Sequence, residues 1–172
     1  GDILKYDLSP FTLSIMKGML TPILQETVNF VNALVIAKER GINMIEMKTA
    51  EVEDFASLVS VEVETDRAKN TIVGTLFTKV DPRIVKINEF YVDAVPEGIM
   101  LVIFNKDVPG IIGQIGSILG KGNINIAGMS FGREEKGGKA ITVLNVDSDV
   151  PKKVLDEIRN AKNIEEVRLV KL

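Results

Sequence analysis

Apolar residues recur along the 172-residue chain at two periods, and the places where the period changes mark out its elements. The first few residues, Leu4-Lys5-Tyr6-Asp7, read as a short extended piece. Ser9-Pro10 then opens a helix, with Ser9 as its cap and Pro10 at the first helical position. Its apolar stripe is Phe11, Ile15 and Met19, with Leu20 alongside. Val28 to Val31 reads as extended, and Asn32 caps a helix from Ala33 to Arg40 that Gly41 closes. Period two follows. Ile42 to Met47 is expected to be the first strand. Over 58–64, Val59, Val61 and Val63 alternate with Ser60, Glu62 and Glu64. Thr65 to Asn70 is a turn, and Thr71 to Thr78 returns. Asp81-Pro82 breaks that strand, after which Arg83–Ile87 and Phe90–Asp93 form a hairpin around Asn88-Glu89.

Ala94-Val95-Pro96-Glu97-Gly98 carries the turn residues of a short linker, so the chain divides into residues 1–97 and 98–172. In the second part, Ile99 to Phe104 is a continuous apolar run and reads as a buried strand. A helix over Pro109–Lys121 follows, then a strand over Asn123–Arg133 and a hairpin turn at Lys136-Gly137-Gly138-Lys139. Ala140–Val146 returns as strand, Ser148-Asp149 and Pro151 open a helix through Ala161, and Ile164–Leu172 closes as strand. That order, βαββαβ, is the ferredoxin-like split unit. The expected fold class is α+β, a mixed α+β domain followed by a ferredoxin-like one.

Composition narrows the function classes. The apolar fraction of 45% and charged fraction of 26% suit packed domains. A net charge of −3 does not suit a nucleic-acid surface, which needs clustered Lys and Arg. No apolar run approaches the ~20 residues of a spanning helix, and no signal-peptide pattern opens the chain. With no Cys there is no disulfide framework, which fits a cytoplasmic location. The absence of both His and Cys removes the common zinc sites, cysteine nucleophiles and Ser-His hydrolytic arrangements. Composition therefore favours binding over catalysis.

The stretch NKDVPGIIGQIGSILGKGNINIAGM, residues 105–129, concentrates what chemistry remains. It is not a Walker loop, because Gly122 stands where the hydroxyl belongs, and it lacks the Gly-x-Gly-x-x-Gly spacing of a dinucleotide loop. Much of it reads as a core helix. Ile111, Ile112, Ile115, Ile118 and Leu119 form one stripe, Gly113, Gly116 and Gly120 allow close approach of a neighbour, and Gly122 is the C-cap. Asp107-Val108-Pro109-Gly110 and Asn125 are not accounted for in this way. A free amino acid needs N–H donors for its carboxylate and acceptors for its ammonium. A helix N-terminus supplies the donors. Pro109 fixes its start, Gly110 leaves the amides uncovered, Asp107 offers an acceptor, and Asn125 offers donor and acceptor both. Helix capping for Asp107 and a turn or sheet-edge bond for Asn125 are the plain alternatives.

The same run resembles the ACT domain, a small-molecule sensor. SPFTLSIMKGML, VNFVNALVIAKERGI, IVGTLF and PRIVKINEFYVD resemble the intervening domain of the long bacterial and archaeal type of D-3-phosphoglycerate dehydrogenase. The two resemblances in tandem cover essentially the whole chain. They imply a regulatory fragment, not itself an enzyme. The parent would oxidise 3-phosphoglycerate with NAD, the first step of serine synthesis, through upstream catalytic domains of the same polypeptide. The fragment itself would hold no cofactor or metal. L-serine, or a similar small amino acid, would sit between two ACT domains of a homo-oligomer and feed back on the enzyme. Carried over by motif, the effector contacts are Asn105, Asp107, Pro109, Gly110, Ile111, Ile112 and Asn125. Asn105 stands where members carry His or Tyr. A phosphorylated-acid site is implied at Arg83 with Lys86 close by, although Phe90, Val95 and Asn145 stand where some members have Arg. The β portion of an iron–sulfur L-serine dehydratase joins the same two domain types, and a ligand-free dimerisation module is a further alternative. RNA binding on the sheet would need stacking aromatics, for which Phe131 is a lone candidate.

Overall fold

The computed structural model describes residues 2–24, 28–49, 55 and 57–172. They belong to two compact units that divide between Val61 and Glu62.

The first unit holds a 3-10 turn at Asp2–Lys5, helix α1 at Ser9–Leu20 and helix α2 at Ala33–Glu39. The expected extended piece at 4–7 is thus partly the end of that turn. Ser9 is already helical and Leu8 is the cap position; the carboxylate of Asp7 accepts from both the backbone N–H and the hydroxyl of Ser9. The buried face of α1 is Met16 and Leu20, which pack with Ala33 and Ala37 of α2, while Phe11 is 43% exposed. The expected stripe is therefore rotated. Residues 11–20 are apolar on several faces, so the small residues of α2, not periodicity, choose the buried one. Val28–Val31 is not a strand but leads into a turn. Asn29 Oδ1 accepts from the amides of Val31 and Asn32, and Asn32 Oδ1 accepts from that of Asn29. Asn32 stands at the cap position of α2 but makes no side-chain capping bond to the helix, and Gly41 follows the helix with φ +70°. Ile42–Met47 has no strand pairing among the described residues.

Strand β1, Leu58–Glu64, runs across the division and begins a sheet of order β1-β2-β3-β4. The others are β2 at Lys69–Thr78, β3 at Asp81–Ile87 and β4 at Phe90–Ala94. Pro82 lies within β3, opposite Leu76, and the β3–β4 turn is made by Asn88 at φ +51°.

The βαββαβ order is complete in the second unit: β5 Ile99–Lys106, α3 Ile111–Lys121, β6 Ile126–Arg133, β7 Lys139–Val146, α4 Lys152–Arg159 and β8 Ile164–Lys171. The antiparallel sheet has the order β6-β7-β5-β8, leaving β6 and β8 at its edges. Both faces of its central strands are covered, which is why β5 reads as unbroken apolar sequence. Leu101, Ile103, Leu144 and Val146 face α3 and α4 through Ile111, Ile115, Ile118, Leu119, Val154, Leu155 and Ile158. On the opposite face Met100, Ile141 and Val143 pack with Ile87, Phe90 and Ala94 of β3 and β4. This second cluster joins residues 62–94 to the βαββαβ fold. The turn at 94–98, where the sequence divides the chain, consequently lies inside one compact unit. Gly122 ends α3 at φ −78°, and the left-handed residue is its neighbour Asn123 at +55°.

Candidate functional site

The loop from β5 to α3 is built on Asp107. Its backbone N–H donates to Gly138 O at 2.9 Å. Its Oδ2 accepts from the backbone N–H of Gly137 and from Arg133 Nη1, both at 3.1 Å. These bonds tie the loop to the β6–β7 turn. The Gly137 amide first, then the Arg133 guanidinium, hold the Asp107 carboxyl below its ordinary value of 3.8. Exposed Pro109 and Gly110 follow, Gly110 being the cap residue of α3 at φ +88°, a left-handed conformation that favours glycine. No side chain caps the helix. Ile111 N–H reaches Val108 O at 3.4 Å and Gln114 N–H reaches Gly110 O at 2.9 Å; the amides of Ile112 and Gly113 make no backbone bond among the described residues. Ile111 is buried and Ile112 half-buried against the helix-side core, so their side chains anchor the turn while its amides stay at the rim.

Asn105 does not share that rim. It lies on the helix-facing side of β5 and is fully buried. Its Oδ1 accepts from Thr142 Oγ1 at 3.0 Å, and its Nδ2 donates to Lys106 O at 2.9 Å. Both ends of the amide are thereby satisfied within the fold.

Asn125 is exposed, immediately before β6. Its Nδ2 donates to Asp147 Oδ2 at 2.6 Å, and Asp147 N–H donates back to Asn125 O at 3.2 Å. It is far from Asp107. Ile126 pairs with Val146 at one end of β7, whereas Lys106 pairs with Lys139 at the other. The rise of the intervening strand separates the two by roughly 20 Å. The structure brings Asp107, Pro109 and Gly110 together and leaves Asn125 at the opposite end of the sheet. Arg133 and Asp147, the partners of Asp107 and Asn125, were not among the sequence candidates. Arg133 is 26 positions from Asp107, and only the hairpin register joins them.

At the second candidate site, the Arg83 guanidinium is held by Asp81 Oδ1 and by Asp93 Oδ1, the latter at 3.0 Å from Nε, and lies over the Phe77 ring. Lys86 Nζ lies 5.2 Å over the ring of Tyr91. Asn145 Nδ2 donates to the carbonyls of Val95 and Glu97, both at 3.0 Å, and Phe90 is buried. Arg83 and Lys86 therefore have separate partners. Two carboxylates already neutralise Arg83, which weakens it as an anion receptor.

Comparison with known proteins agrees with this architecture. The family model described as the D-3-phosphoglycerate dehydrogenase intervening domain matches residues 1–88. The chain belongs to that family. The ACT domain model matches residues 99–163, the span of β5 through α4. Among curated relatives named D-3-phosphoglycerate dehydrogenase, that of Bacillus subtilis is 40% identical over all of this chain and 33% of its own length. The Synechocystis relative is 39% identical over all of this chain and 31% of its length, and that of Methanocaldococcus jannaschii 37% over all of this chain and 32% of its length. The chain thus spans about a third of the length of these dehydrogenases. Among the described residues no helix is long and apolar enough to cross a membrane.

Proposed function

We propose that this chain is the effector-sensing region of an NAD-dependent D-3-phosphoglycerate dehydrogenase of serine synthesis, and that it binds L-serine between the ACT domains of two copies. The observation that carries this reading is the placement of Asp107 and Asn125 at opposite ends of edge strand β6. One copy cannot close a pocket over a molecule a few ångströms long with residues that far apart. Two β6 strands side by side and antiparallel bring Asn125 of one copy to the Asp107 end of the other, twice, about a two-fold axis. The exposed surface suits that pairing. Met129 is 54% and Phe131 37% exposed on β6. A methyl group at Gly113, Gly116 or Gly120 of α3 would meet nothing within 4 Å.

In each such pocket the rim amides of α3 take the effector carboxylate, and Asp107 with the partner copy's amide takes the ammonium and hydroxyl. Binding across two copies favours one relative orientation of them, which is the form of a rigid-body switch. NAD belongs to this reading through residues the chain does not contain. Its sequence has no Gly-x-Gly-x-x-Gly, and an ionised Asp107 three residues ahead of the α3 cap disfavours a pyrophosphate there.

Calorimetry with L-serine tests the reading, with saturable heat expected for the chain and none for Asp107→Ala or Asn125→Ala. Mixing the two silent variants should restore heat, because a mixed pair rebuilds one intact pocket. Absence of heat at millimolar serine in the unmodified chain would leave a bare dimerisation module. Silent single variants that stay silent on mixing would place the site within one copy, and heat retained in the single variants would remove Asp107 and Asn125 from it.

A further inference from the structure

We propose that Arg133 is a built-in occupant of the effector pocket, which the ammonium group of an incoming ligand must displace from Asp107, so that Arg133 holds the affinity for ammonium-bearing ligands below what the pocket would otherwise give; this rests on the reading above. Asp107 Oδ2 receives two donors of different kinds. The Gly137 N–H belongs to the β6–β7 turn, which the bonds Gly138 N–H to Glu135 O at 3.1 Å and Glu134 N–H to Lys139 O at 3.0 Å hold in shape. It does not leave unless the turn does. The Arg133 guanidinium is on a long side chain at the end of an edge strand and is 54% exposed, against 18% for Asp107. Among the described residues Asp107 is its sole carboxylate partner within salt-bridge distance. Exposed ion pairs of this kind are weak, because each partner regains hydration and rotamer freedom on parting.

Guanidinium and alkylammonium compete for the same acceptor. A zwitterionic amino acid can exchange its ammonium for Arg133 and keep the carboxylate charge compensated. A carboxylic acid without an ammonium offers nothing in exchange and leaves Arg133 in place. The arginine therefore lowers the affinity of an ammonium-bearing ligand slightly, by the weak ion pair that must part, and leaves that of an analogue without an ammonium unchanged.

Calorimetry on the full chain and on Arg133→Gln, with L-serine and with 3-hydroxypropionate (serine lacking its ammonium), tests the inference. L-serine should bind the variant about two- to five-fold more tightly, the scale of an exposed ion pair, and the analogue should gain nothing. Unchanged serine affinity overturns the inference alone. Weaker serine binding in the variant overturns it too, showing that Arg133 instead holds the ligand carboxylate. A gain shared equally by the analogue excludes competition for Asp107. No heat with L-serine in either protein removes the effector reading and the inference with it.

Discussion

The hydroxyl of Thr142 donates to Asn105 Oδ1 at 3.0 Å, and both side chains are fully buried. The pair bridges β5 and β7 on the face whose other buried strand residues, Leu101, Ile103, Leu144 and Val146, pack in the aliphatic helix-side core. Asn105→Ala should leave the Thr142 hydroxyl without its acceptor and lower stability by about 1–3 kcal/mol. Adding Thr142→Val to that variant should recover part of the loss, since no hydroxyl then remains to satisfy. Urea midpoints of the wild type, both single variants and the double variant check this. Simple additivity of the single losses would mean the two side chains do not act as a pair.

Asn145 spans a different junction. One amide nitrogen serves the carbonyls of Val95 and Glu97 and so fastens the 94–98 turn to β7. Asn145→Ala should cost on the order of 1 kcal/mol and speed hydrogen exchange at the Glu97 and Gly98 amides while the helix-side core stays protected. Equal exchange in both proteins would show that the turn is held by other contacts.

The Asp107 carboxyl lies below its ordinary 3.8 because the Gly137 amide and Arg133 favour the charged form. A group whose folded pKa is depressed contributes stability above its unfolded value and loses it as pH falls through the folded one. Thermal midpoints of wild type and Asp107→Asn should therefore differ most above about pH 4 and converge in stronger acid. A gap that widens on acidification would contradict the assignment.

Gly132 of β6 approaches the opposing sheet so closely that an added Cβ would overlap the backbone carbonyl of Tyr91 and lie 3.2 Å from Ile141 Cγ2. Backbone cannot swing aside as a side chain can. Gly132→Ala should destabilise the chain by about 1–3 kcal/mol and loosen the neighbouring bond from Asp93 N–H to Ser130 Oγ at 2.8 Å. Guanidinium titration of the variant gives the number, and unaltered stability would mean that β4 sits farther from β6.

Several elements could be read from neighbouring residues alone. The alternation Val59, Val61, Val63 marks β1, Asn88-Glu89 marks the turn between β3 and β4, and the isoleucine stripe of α3 is buried almost as its spacing implies. In α1, with apolar residues on several faces, the same logic selected Phe11, and the structure buries Met16 instead. Ile42–Met47 alternates like a strand but has no pairing among the described residues, since a period-two pattern states which side chains share a face and not whether another backbone lies alongside.

The candidate site divides in the same way. Residue types and their spacing were sufficient to identify Asp107, the Pro109-Gly110 helix start and Asn125 as polar chemistry set in a core motif. They are local features, written in dihedral preference and hydrogen-bonding capacity within a few positions. That Asn105 turns inward to Thr142, that Arg133 occupies Asp107, and that Asn125 stands a whole strand length away follow from the strand order β6-β7-β5-β8 and its register. Thr142 and Asn105 are 37 positions apart in the chain and Arg133 and Asp107 are 26 apart, beyond the reach of any local rule. Only the burial of both faces of the central sheet brings them into place.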